Sequence, residues 1–291
     1  MSLLLPLALL MQVGADPHVY PQAPLPSIVP HRQTTKPVPV APVDQLAECM
    51  ARGRDDADAG LAFAREWLAR AKAPEDRAQP NQCLGELLTD QGEFAEAQTA
   101  FAAAVEAIPQ AQAAGAVPLM AMAGNAALAA GDGARALAWF DRALAVSDYD
   151  NPGGRGAILA DRARALVAQG RTAEAAAALT QARQQAPGDA SVFLLSATLA
   201  RRQHDLRSAQ GFIETAAGLD PVDPAIGLEA GVIAVLAGHD AAARKSWNSV
   251  ITAAPDSAEA RTARGYLAQL GAETAAPLDP ATPPPTSPGH H

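Results

Sequence analysis

GAILADRARALVAQGRTAEAAAALTQARQQAPGD, residues 156–189, runs straight into ASVFLLSATLARRQHDLRSAQGFIETAAGLDPVD at 190–223 and PAIGLEAGVIAVLAGHDAAARKSWNSVITAAPDS at 224–257. At a spacing of 34 residues, Ala163, Gly170, Ala175, Leu179, Ala182 and Pro187 correspond to Ala197, His204, Ala209, Ile213, Ala216 and Pro221. They correspond again to Gly231, Gly238, Ala243, Trp247, Val250 and Pro255. Small residue, turn, alanine, bulky apolar residue, small residue, stop: this is the order of a helix hairpin. One hairpin of this length cannot bury its apolar face alone, so copies stack on one another. The pattern says how the chain is built and leaves the ligand unnamed.

The same order recurs upstream without the fixed period. Gly85, Gly92, Ala97, Phe101, Ala104 and Pro109 match it, and Gly124, Gly131, Ala136, Phe140 and Ala143 match it again, with Asp148 in the place of the proline. Each of these two units begins 39 residues before the next. The extra residues are assigned to connections at 110–117 and 148–156, where an insertion lengthens a surface loop and spares the helices. Alanine-rich helices, no alternating β-branched run and nine prolines between 43 and 273, all read as lying at helix boundaries or in connections, make the chain all-α.

The run Leu84-Gly85, Gly92, Phe94, Ala97, Phe101, Ala104 and Pro109 resembles the tetratricopeptide repeat, and the likeness extends over roughly residues 78–257. It implies a right-handed superhelical solenoid of antiparallel helix hairpins, at about 43–76, 78–111, 117–150, 156–189, 190–223 and 224–257. Residues 257–270 repeat the first-helix pattern and read as a capping helix. The departures are the aromatic usual early in the first helix, kept only as Phe193, and His204 at a turn glycine.

Outside the domain at 43–273, residues 16–42 and 274–291 are rich in proline and read as extended, mobile segments. MSLLLPLALLMQVGA at 1–15 reads as a signal peptide: a short apolar run broken by Pro6, then small residues at Val13 and Ala15. No integral membrane span is expected. Export places the protein in the periplasm; a false signal would leave it in the cytoplasm. Cys49 and Cys83 lie 34 apart, in equivalent places on the first helices of neighbouring hairpins. A disulfide there and a pair of buried free thiols are both open readings. Gln82-Cys83-Leu84-Gly85 with a cysteine upstream is similar to exported repeat proteins of alphaproteobacteria.

Formal net charge −9 argues against general nucleic-acid binding. Charge is uneven: residues 44–106 hold 13 acids and 6 bases, whereas 155–208 hold 8 arginines and 4 acids. The arginine-rich stretch is either a solvated outer face or a docking strip for an acidic partner. No catalytic, metal or cofactor constellation stands out. His204-Asp205 and His239-Asp240 fall in hairpin turns with no further ligand at a fixed spacing, and residues 151–156 (NPGGRG) lack the lysine and strand of a phosphate loop and read as a connection.

Function is therefore assigned to surfaces, with no enzyme activity expected. The resemblance implies a groove lined by first helices that holds a peptide or an amphipathic helix of a protein partner. Counting from the small first-helix residue, the groove positions include Asn125, Arg164, Leu194, Thr198, Arg201, Arg202, Leu228, Val232, Val235 and Leu236, with acidic Glu86 and Asp90 at the front. The last set is apolar, open to a partner or to cover by the cap helix. Trp67 and Trp139 are read as core residues rather than exposed anchors. The expected role is a binding scaffold in envelope assembly or secretion, with a structural spacer tethered by the proline-rich segments and a cytoplasmic adaptor as alternatives.

Overall fold

The computed structural model describes residues 44–274, with side chains described to residue 271; the signal, linker and tail readings at 1–15, 16–42 and 274–291 fall almost wholly outside that range. Among the described residues there are six antiparallel helix hairpins and a final helix. They are α1 (Gln45–Asp55) with α2 (Ala57–Arg70), α3 (Ala78–Asp90) with α4 (Phe94–Ala107), and α5 (Ala113–Ala129) with α6 (Gly133–Leu144). Then follow α7 (Pro152–Ala168) with α8 (Thr172–Gln185), α9 (Ala190–Arg202) with α10 (Leu206–Leu219), α11 (Pro224–Leu236) with α12 (Asp240–Ala253), and α13 (Ala258–Thr274). Each second helix packs on the first helix that follows it, and first helices also touch along most of the stack, giving the all-α solenoid that the repeat implies.

The turns inside hairpins two to six share one chemistry. Gly92, Gly131, Gly170 and Gly238 have φ between 73° and 83°, and His204 holds the same left-handed position at φ 64°. In each turn the next residue's N–H donates to a carbonyl five back, as in Glu93 N to Leu88 O (2.9 Å) and His239 N to Ala234 O (2.8 Å). This is a Schellman stop, whose strained residue costs glycine nothing and a side chain something. The first hairpin has no such turn. Asp56 alone separates α1 from α2 and caps α2 by accepting from the Asp58 and Ala59 N–H groups.

Packing within a hairpin couples the small and bulky positions of the repeat. A Cβ placed on Gly85 would lie 2.6 Å from the Phe101 ring, and one on Gly124 would lie 2.5 Å from the Phe140 ring; at Gly231 it would run into the Trp247 indole. The two hairpins with alanine at that site, Ala163 and Ala197, carry the smaller Leu179 and Ile213. All five bulky residues are buried, as is Trp67, and the half-buried Trp139 packs on the core with the Arg142 guanidinium over its ring. Volume is thus conserved pairwise, as a close-packed interior demands.

Several boundaries differ from the sequence reading. The connection expected at 110–117 is one 3-10 turn, Gln110–Gln112, and α5 starts at Ala113 with Pro118 inside it. Burial of Ala116, Val117, Leu119 and Met120 holds this stretch helical despite the hydrogen bond that proline removes. Residues 151–156 are not a loop. Asn151 caps α7 by accepting the Gly154 N–H (2.9 Å), Pro152 supplies the first helical residue, and Arg155 donates to the Val146 and Leu144 carbonyls (3.0 and 2.8 Å). The cap helix continues past 270, to Thr274.

Candidate functional site

First helices α3, α5, α7, α9, α11 and α13 line one face, and three hollows open on it between neighbours. The front hollow, about 510 Å³, is walled by Met50 of α1, Glu86 and Asp90 of α3 and Met122 and Asn125 of α5. The middle one, about 340 Å³, lies between α7 and α9, with Ala160, Val167, Leu195 and Leu199 inside and Arg164, Thr198 and Arg202 around it. The back one, about 270 Å³, lies between α11 and α13 against Val232, Val235, Leu236, Tyr266 and Leu270. Phe101, Leu179 and Trp247 line them in turn, the same repeat position in hairpins two, four and six.

The alternate seams are tied across. Asn125 Nδ2 donates to Asp161 Oδ2 (2.9 Å), linking α5 to α7, and Asp161 also pairs with Arg164. Arg201 grips Glu229 with two hydrogen bonds, Nε to Oε1 at 2.6 Å and Nη2 to Oε2 at 3.2 Å, linking α9 to α11. Both partners are largely withdrawn from solvent, with side chains 22% and 12% exposed, so this forked pair sits where water weakens it less. Tied seams fix the spacing of the helices that flank each hollow.

These ties reassign most of the arginine-rich stretch. Arg155 locks the α6–α7 connection and Arg162 pairs with Asp141 of α6 (2.7 Å). Arg171 pairs with Glu174, a contact that raises the guanidinium pKa and lowers the carboxyl. Arg183 donates to Ser196 Oγ (2.7 Å) and Thr180 Oγ1 and lies 4.4 Å from the Phe212 ring centroid; burial pushes its pKa down. Of the three arginines expected in the groove, Arg164 and Arg201 are paired, and Arg202 has no hydrogen bond or ion pair among the described residues.

The predicted groove residues therefore separate. Asn125, Arg164, Thr198, Arg202, Val232, Val235 and Leu236 line the hollows, whereas Leu194 and Leu228 are half-buried against the core. Arg201 is a structural tie rather than an open contact. The apolar back set is partly covered by α13: Val232 and Val235 pack with Leu270 and Tyr266, and Leu236 stays 54% exposed. Sequence reasoning missed Asp161 and Glu229, whereas cover of the back set by the cap helix was one of its two open readings. Asp161 and Glu229 each stand two residues before the small position and are the single acid of their helix, which is a legible signal. Among the described residues no three His, Cys, Asp or Glu side chains come together as a metal site, and no helix is long and apolar enough to cross a membrane.

No protein-family model and no curated protein matches this sequence. Solved structures similar to it include PilW, a widely conserved type IV pilus biogenesis factor, at TM-score 0.61 and 19% identity, covering 75% of this chain and 96% of that one. Pseudomonas aeruginosa pilF is similar at TM-score 0.58 and 14% identity over 77% and 96% of the two chains. BtubC from P. vanneervenii is similar at TM-score 0.56 and 14% identity over 86% and 100%. At these identities the likeness gives the fold, a tetratricopeptide-like solenoid.

Proposed function

We propose that this protein is a non-catalytic scaffold that holds a peptide or amphipathic helix of a partner protein on its first-helix face. The observation that carries the reading is the row of three hollows, all with apolar walls and the front and middle ones flanked by charged side chains, between helices whose other seams are tied by Asn125–Asp161 and Arg201–Glu229. A face whose spacing is already set loses little conformational entropy when a segment docks. The place of work we propose is the periplasm, in envelope assembly or secretion. The apolar start at 1–15 and the Cys49–Cys83 disulfide support export; an intact Met1 in protein taken from its native cell would contradict it.

The binding reading is tested with surface changes that leave the core alone. Leu236 and Thr198 suit this, whereas Val232 also packs against the cap helix. Leu236→Asp with Thr198→Glu should abolish partner binding without changing helicity by circular dichroism. Binding that survives this change and is lost on deleting 17–42 or 277–291 would replace the scaffold with a tethered spacer.

A further inference from the structure

We infer that the middle hollow recognises a partner segment in which an apolar side chain stands next to a side-chain carboxylate, the apolar group entering between α7 and α9 and the carboxylate pairing with Arg202. This rests on the groove reading above and specifies its chemistry. Small residues make the room: Ala160, Ala163 and Ala168 line the α7 side, and Leu179 stands where hairpins two, three and six carry an aromatic ring. The interior is hydrocarbon from Val167, Leu195 and Leu199, so it takes an apolar side chain.

Charge selects what stands beside that side chain. Arg164 is neutralised by Asp161 and Arg201 by Glu229, whereas Arg202 is exposed, lines the hollow and has no partner among the described residues. The end of α9 does not supply this preference, since carbonyls at a helix C-terminus repel an anion. The guanidinium itself must supply it, through the forked geometry that suits a carboxylate. The front hollow is its opposite: Asp90 has no ion-pair partner among the described residues and Glu86 is met only by the neutral Gln82 amide (2.9 Å), so an acidic segment is turned away there and admitted at the middle. One face thus discriminates by position.

The test is selection of random 16-residue displayed peptides on the full chain, followed by affinity measurement of the winners as synthetic fluorescein-labelled peptides at low and high salt. The expected winners carry Asp or Glu beside Leu, Ile, Val, Met or Phe. Arg202→Glu should weaken them roughly tenfold or more and shift a repeated selection toward Lys or Arg, and Arg202→Lys should keep the preference in weaker form. Winners with Lys or Arg beside the apolar residue on the unaltered chain would overturn the inference. So would winners indifferent to Arg202→Glu; if these are still lost with Leu236→Asp, the groove reading stands without its acidic specificity. Failure to enrich any peptide would overturn both.

Discussion

The two ends of the solenoid are closed in different ways. At the front, α1 buries a single residue, Cys49, and the Cys49–Cys83 disulfide ties it to α3 with the Cα atoms 6.5 Å apart. At the back, α13 buries Ala260, Ala263 and Leu270, sets Tyr266 against Trp247 with ring centroids 5.2 Å apart, and has its Leu270 carbonyl held by Arg244 (3.2 Å). A solenoid has no closed core, and each hairpin is stabilised only by its neighbours. A terminal element with enough apolar surface is held by packing, and one without it is held by a covalent bond. The groove inherits the contrast, with an acidic front hollow under a cross-linked helix and an apolar back hollow under a packed one.

The sharpest way to break this comparison is to remove the covalent tie. Cys49→Ala with Cys83→Ala should cost about 3–4 kcal/mol on the loop-entropy account. The loss should appear in hydrogen exchange as faster opening of Gln45–Arg70, with α11–α13 unchanged; uniform loss along the chain would mean that the ends are not independent. Leu270→Ala should do the reverse, costing about 2–3 kcal/mol and freeing α13 while the front keeps its protection. Gly231→Ala pushes a methyl into the Trp247 ring and should cost about 1–2 kcal/mol in urea unfolding. Adding Trp247→Leu should recover much of it, because Ala163 with Leu179 is already that pair; no recovery would sink the volume-coupling account.

The smallest effect is electrostatic. Asp205 caps α10, and hydrogen bonds from the Ser208 side chain and backbone hold its carboxyl below the ordinary range. A depressed folded pKa gives stability that is present above the unfolded value of about 3.9 and is lost as pH falls through the lower folded value. The melting advantage of the unaltered chain over Asp205→Ala should therefore be full near pH 6 and shrink below pH 4. An advantage that does not change with pH would show that the charge contributes nothing.

Much of the fold was legible because repeat grammar is local. The left-handed turn positions, the Gly–aromatic and Ala–aliphatic pairs and the proline stops all sit at fixed spacings, and the structure puts each to the use the spacing suggested. Pro118 escaped because burial of Val117 and its neighbours outweighed a local helix breaker, which no local rule reports. The groove was half legible. Positions counted from the small residue reached Arg164, Thr198 and Arg202, but that Arg201 is paired rather than open depends on Glu229 of another helix, 28 residues away. The cover that α13 gives Val232 and Val235 was legible only as one of two readings, because periodicity within one helix does not say which neighbouring element meets its apolar face.

The central claim is that the first-helix face, and not the opposite one, receives the partner. A photo-crosslinking residue placed one at a time at Thr198, Arg202 and Leu236 on that face, and at exposed Gln181, Thr215 and Asn248 on second helices α8, α10 and α12, tests it in the native cell. The account predicts one common adduct from the three first-helix sites and none from the second-helix sites. An adduct formed equally from both faces, or only from the second helices, would contradict it.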